Sequence, residues 1–151
     1  MLVTYCMARS YVVLYYLEPT HTIWMFGHSN HPLSRFLEIL EKHEVRCLID
    51  VRTFARSRFP RFNKAPLSSS LSQIGIEYRH APRLGGRDPL PTVDLRHEVE
   101  SLLPRKERTC LLCSEGDPQN CHRHTLIAPI LLDMGYTVLQ ILADGSVQED
   151  A

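Results

Sequence analysis

Short apolar runs alternating with helix-patterned segments constrain this chain more than any other feature. Thr22 to Phe26 (TIWMF), Val45 to Val51 (VRCLIDV), Ile76 to His80, Thr109 to Cys113 (TCLLC) and Thr137 to Leu142 all have strand length. VRCLIDV is apolar enough for a strand buried on both faces. Between the runs, Leu33, Phe36, Leu37 and Leu40 recur at i, i+3, i+4 and i+7, with Glu38, Glu41 and Lys42 turned outward. Asn30 or His31 stands where an N-cap belongs, and Pro32 suits the first helical turn. Leu67, Leu71 and Ile74 predict a short helix ended by Gly75, and Thr92 is a candidate cap for a helix using Leu95, Val99, Leu102 and Leu103. Leu126, Ile127, Ile130, Leu131 and Met134 predict a last helix ending at Gly135. Pro129 lies inside it, removes one backbone bond and crowds the carbonyl of Thr125, so a kink or break is expected there.

Such alternation calls for right-handed crossovers. The expected fold is α/β: a single three-layer domain over residues 21–151, with a mostly parallel sheet of about five strands and helices on both faces. Residues 1–20 read as an N-terminal extension, either an extra strand or a loosely attached segment. Tyr11 to Leu17 is apolar but far shorter than the roughly 20 residues of a membrane span, and Glu18-Pro19 follows with no obvious small-residue cleavage site. The 151 residues suffice for one full core. Seventeen basic and seventeen acidic residues cancel, so any basic surface is local, and no membrane partner is expected. Five cysteines make an odd count, and Cys47 and Cys110 sit inside apolar runs as small hydrophobes. Free thiols favour a reducing compartment, so a cytoplasmic protein is the expectation.

The polar residues collect at one edge. His28 and Ser29 follow the first run, Asp50 and Arg52 end the second, His80 ends the third, and Cys113, Ser114 and Glu115 end the fourth. In a parallel sheet these are the carboxyl ends of the strands, where open α/β folds bind ligands. The stretch from Cys113 to His124 sharpens the expectation. Cys121, His122 and Arg123 open the last helix, and a helix N-terminus attracts anions and lowers the pKa of a nearby thiol. Arg123 suits phosphate or carboxylate, Cys113 and Cys121 are candidate thiolate nucleophiles, and Glu115 is a candidate base or carboxylate nucleophile. The opposing reading makes Cys113 packing, Asp117 a helix cap and Arg123 a partner of Asp50. Zinc on Cys113, Cys121, His122 and His124 is disfavoured, because the spacing matches no common finger and neighbours on a helix diverge by about 100°. A Cys113–Cys121 redox disulfide stays open. Arg52 to Lys64 (RTFARSRFPRFNK) mixes cations with Phe54, Phe59 and Phe62. Pro60 makes it a loop, either a nucleotide or single-strand surface or three core phenylalanines flanked by solvated arginines.

Phe26-Gly27-His28-Ser29-Asn30, Asp50-Val51-Arg52 followed by Ser57-Arg58, Leu84-Gly85-Gly86, and above all Cys113-Ser114-Glu115-Gly116-Asp117-Pro118-Gln119-Asn120-Cys121-His122-Arg123 together resemble the domain-of-unknown-function 488 family. The resemblance runs from about Thr22 to Val147 and implies an α/β domain with a shared site, though no established reaction. The chain departs from the pattern in two places: Ala55 stands where relatives often have proline, and an aromatic-rich insert that many carry after the Leu-Gly-Gly motif is missing.

The leading expectation is therefore an enzyme acting on an anionic, nucleotide-like or nucleic-acid substrate, by hydrolase or glycosyl-transfer-like chemistry. Glu115, Asp50, His28, Cys113 and Cys121 are the catalytic candidates. Ser29, Arg52, Arg58, Gly85, Gly86, His122 and Arg123 are the binding candidates, with no metal and no cofactor expected. The rival readings are a non-catalytic nucleic-acid or nucleotide-binding module and a thiol redox or metal protein.

Overall fold

A computed structural model describes residues 21–103 and 105–150. The proposed extension over residues 1–20 lies outside the described residues. Ten regular elements follow in the order β1 (Thr22–Gly27), α1 (Leu33–Lys42), β2 (Cys47–Asp50), α2 (Lys64–Gln73), β3 (Glu77–His80), α3 (Thr92–Leu102), β4 (Thr109–Cys113), α4 (Ala128–Asp133), β5 (Thr137–Ile141) and β6 (Val147–Asp150). The sheet order is β3-β2-β4-β1-β5-β6, with every pair parallel except β5–β6.

All residues of β2 and β4 are buried, because helices cover both faces of the sheet. Side chains alternate across each strand, so one strand feeds two cores. Cys110 and Leu112 of β4 join Phe26, Phe36, Ile39, Leu67 and Leu71 beneath α1 and α2. Leu111 and Cys113 join Met25, Ile49, Leu95, Val99 and Leu131 beneath α3 and α4. The helix placement follows from the direction of travel. The chain moves toward one edge from β1 to β3, then back across the sheet through β4 to β5. Right-handed crossovers running in opposite directions place their helices on opposite faces. At the carboxyl end of β4, therefore, its own chain leaves for one face while the chains of neighbouring β1 and β2 leave for the other. That divergence is the switch point at which open α/β sheets form a crevice.

The sixth strand was not expected. Residues Val147–Asp150 are mostly exposed and show no apolar period, so hydrophobic patterning alone misses them. Asp144-Gly145 supplies the missed signal: Gly145 has φ +86°, and the Leu142 N–H donates to the Ser146 carbonyl to turn the hairpin. The helix starts also differ from expectation. Pro32 and Pro91, both in extended geometry, occupy the positions sought for Asn30 or His31 and for Thr92, and neither start has a side-chain cap bond. Asn30 and His31 are held instead by Arg61, which donates to both their carbonyls. Helix α2 begins at Lys64, earlier than its apolar residues indicate. Gly75 and Gly135, with φ +76° and +89°, end α2 and α4 as expected.

Pro129 breaks the last helix. Arg123–Ile127 form a widened π-turn in which the Ala128 N–H donates to the Arg123 carbonyl, and a fresh α-helical segment starts with Pro129 in its first turn. There a missing N–H costs little. The wider turn has a consequence for the site, since it is the turn that carries Arg123.

Candidate functional site

Gly27 ends β1 opposite Cys113 of β4, and the two strands stay joined beyond the sheet. His28 N–H donates to the Cys113 carbonyl and Ser29 N–H to the Ser114 carbonyl, each at 2.9 Å. A side chain at position 27 would overlap the Glu115 carbonyl and come within 2.5 Å of Arg123 Nη1, so only glycine allows the loop after β4 to lie this close. The loop's floor is pinned by Arg123, which is fully buried. Its Nη1 donates to Cys113 Sγ and to the Glu115 carbonyl, both at 2.6 Å, its Nη2 to the Gly116 carbonyl at 3.3 Å, and its Nε to Gln140 Oε1 at 3.0 Å. Gln140 in turn donates to Asp150, whose carboxylate also pairs with His124. Asp117 caps only the short turn Pro118–Asn120 by accepting from Gln119 N–H.

Asp50 and Arg52 form a second buried unit. Arg52 Nε reaches Asp50 Oδ1 at 2.8 Å and Nη2 reaches Oδ2 at 2.6 Å, while the Tyr78 hydroxyl donates to Oδ2 at 2.6 Å. Burial and the neighbouring carboxylate raise the Tyr78 pKa, so its proton stays in that bond. The remaining Arg52 donors reach the Arg56 and Phe62 carbonyls and His28 Nε2. Arg52 thus ties the basic loop onto the end of β2. His28 stacks on Phe62 with centroids 4.4 Å apart. Its pKa is lowered to about 4, chiefly by burial, so the ring is neutral near pH 7. Because Nδ1 meets the Ser29 carbonyl at 2.8 Å, it carries the proton and leaves Nε2 as an acceptor for Arg52.

Two hollows open above these supports. The larger, of about 580 Å³, is lined by His28, Ser29, Asn30, Arg56, Arg58 and Glu115 among others. The smaller, of about 400 Å³, is lined by Arg52, Gly86, Arg87, Cys121, His122 and Glu115 among others. They share Ser114 and Glu115, both exposed, and Glu115 is the one carboxylate among the described residues that line them. The segments therefore converge as the strand ends predicted. Asp50, Gly85 and Arg123 lie behind the cleft and do not line it. The guanidinium of Arg123 meets Cys113, Glu115, Gly116 and Gln140, not the Asp50 that the structural reading of the motif paired with it. Gly85 is packed so closely on Thr53 that a Cβ would overlap it, and Gly86 lies against His122.

The metal-like cluster disperses: His122 Nε2 faces the Val51 carbonyl and His124 turns to Asp150. Among the described residues, no three His, Cys, Asp or Glu side chains are grouped to hold an ion. The phenylalanines of the basic loop divide three ways. Phe62 is buried, Phe59 is half-buried beneath Arg58 and Arg61, and Phe54 is 58% exposed. Sequence reasoning did not single out Arg56, Arg87, Tyr78, Gln140 or Asp150. For Gln140 a signal existed, a polar residue in the middle of an apolar strand. For Tyr78 and Asp150 there was none.

The fold and cleft define an open, doubly covered α/β domain with its polar side chains gathered at a switch point. The family model described as "Domain of unknown function DUF488" matches residues 32–99, from α1 through most of α3. The matched span contains Asp50-Val51-Arg52, Arg58 and Leu84-Gly85-Gly86, while the Cys113–Arg123 motif lies beyond it. No curated protein and no solved structure matched the chain. Among the described residues no helix is long and apolar enough to cross a membrane.

Proposed function

We propose that this domain is an enzyme acting on a phosphate-bearing, nucleotide-sized substrate at the carboxyl edge of its sheet. One observation carries the reading: an exposed carboxylate, Glu115, stands on the floor shared by two hollows whose walls present Arg56, Arg58 and Arg87. The hollows have the volume range typical of small-molecule sites. Arg52 and Arg123 serve as supports, because their donors are engaged by protein acceptors. Phosphate binding falls to Arg56 and Arg58, with Ser29 and the loop after β4 lining the same hollow. Glu115 acts as general base or carboxylate nucleophile, chemistry suited to hydrolysis or glycosyl transfer. His28, held neutral, shapes the wall. The four described cysteines are free, which fits a reducing cytoplasm.

A second reading has its own support: Phe54 is exposed, with the Arg87 guanidinium 5.4 Å from its ring, as on a single-strand nucleic-acid surface. The two separate by experiment. Mass spectrometry of ligand co-purified with the protein, followed by titration with nucleoside phosphates and short oligonucleotides, identifies the binder. Arg56→Ala with Arg58→Ala is expected to weaken nucleotide binding at least about tenfold, and Glu115→Gln to abolish turnover while leaving stability within about 0.5 kcal/mol. Binding that survives Glu115→Gln, falls steeply with salt and is accompanied by no turnover in the native protein would establish the non-catalytic module instead.

A further inference from the structure

Two groups in the smaller hollow are left unused by that chemistry. Cys113 closes β4 and Cys121 opens the segment leading into α4, and the loop between them folds back so that their sulfurs lie 2.9 Å apart. Cys113 is 1% exposed and Cys121 5%, but Cys121 lines the hollow beside Asn120 and His122. Both are free thiols. Their surroundings differ in ways that matter for reactivity. His122 Nε2 lies 3.2 Å from the Val51 carbonyl, and its Nδ1 lies 3.8 Å from Cys121 Sγ. The hydrogen bond with Cys113, then His122 and the Arg123 backbone N–H, hold the Cys121 thiol below its ordinary value. Burial holds the Cys113 thiol well above its ordinary value, so it keeps its proton. Cys47 and Cys110 provide the contrast: both are fully buried, and desolvation pushes their thiols up.

We propose that Cys121 and Cys113 form a redox-active dithiol that reduces a small hydroperoxide entering through the smaller hollow. The Cys121 thiolate attacks the terminal peroxide oxygen and the O–O bond breaks. The leaving oxygen takes a proton and departs as water or alcohol, and a sulfenic acid is left on Cys121. Cys113 then gives up its proton and attacks the Cys121 sulfur, the S–O bond breaks, and the sulfenic oxygen leaves as water. The two thiols are oxidised by two electrons to one disulfide, and the peroxide is reduced by two. An external dithiol returns the pair to its starting state by exchange. Bond formation needs each sulfur to move little, since a disulfide is about 2.05 Å long. Cys113 Sγ also lies 3.5 Å from the Glu115 carbonyl, so disulfide formation alters a contact beneath the loop carrying Glu115.

The test uses the reduced full-length chain, one equivalent of hydrogen peroxide at pH 7, alkylation of remaining thiols and peptide mass spectrometry. The expected result is a Cys113–Cys121 disulfide reversed by dithiothreitol, with Cys47 and Cys110 still reduced. Cys113→Ser should stop at a sulfenic acid on Cys121 that dimedone traps, and Cys121→Ser should slow peroxide consumption by more than about tenfold. The mapping on unmodified protein needs no variant to fold. The proposal fails if Cys121 in the native chain is oxidised no faster than Cys47, or if Cys121 pairs with any other cysteine. Nucleotide binding by Arg56 and Arg58 is scored separately under reducing conditions, so either idea can fall alone.

Discussion

Replacing Asp50 with asparagine removes one charge and almost no volume, and its cost can be worked from the surroundings. The carboxylate is fully buried and accepts four bonds: Arg52 Nε at 2.8 Å and Arg52 N–H at 3.1 Å on Oδ1, Arg52 Nη2 and the Tyr78 hydroxyl at 2.6 Å on Oδ2. In Asp50→Asn an amide NH₂ must face donors at one of these positions, and the Arg52 guanidinium, only 5% exposed, keeps one neutral amide oxygen, the Arg56 and Phe62 carbonyls and neutral His28, but no counter-charge. A buried charge stripped of its partner costs about 3–5 kcal/mol. Native stabilities are about 5–15 kcal/mol, so this is a large fraction of the whole. At roughly 2–4 °C per kcal/mol for a chain of this size, Tm should fall by about 6–20 °C. Urea unfolding at pH 7, followed through the single tryptophan, Trp24, reads the change directly. A loss below about 1 kcal/mol, the scale of an exposed ion pair, would refute the reasoning. The paired replacement Asp50→Leu with Arg52→Met should recover most of the loss, because it leaves no uncompensated charge.

Two further outcomes follow from the same geometry. His28 has its pKa lowered from 6.5 to about 4, so between those values the unfolded chain binds the proton more readily. The His28 contribution is complete above pH 6.5 and is lost as pH falls toward 4, by about 3 kcal/mol in all. Urea midpoints measured across that window should therefore drop less steeply for His28→Gln than for the native chain, and parallel curves would contradict the assignment. At the strand end, Gly27→Ala should cost about 3 kcal/mol or more, since its methyl overlaps the Glu115 carbonyl. It should also disturb the cleft, visible as weaker nucleotide binding in whatever fraction remains folded. Unchanged stability would show that the loop after β4 has room it does not have here.

Much of this architecture was legible in the residues themselves. Short apolar runs and the period-3.6 pattern marked five strands and four helices, because strands buried on both faces and helices buried on one impose those patterns. Polar residues at the strand ends marked the rim, since a parallel sheet sends all its carboxyl ends one way. The patterning could not resolve which rim residues face inward. Arg52 and Arg123 looked like free anion ligands, yet their guanidinium groups are bound by Asp50, by loop carbonyls and, for Arg123, by Gln140 of β5. Gln140 and Asp150 support Arg123 from β5 and β6, partners that no local spacing specifies. Local sequence therefore determined every element but β6, the order of those it marked and the edge where chemistry gathers. Only tertiary structure decided which charges are neutralised inside and which, such as Glu115, Arg56 and Arg58, are left facing the cleft, because desolvation and pairing depend on neighbours far away in the chain.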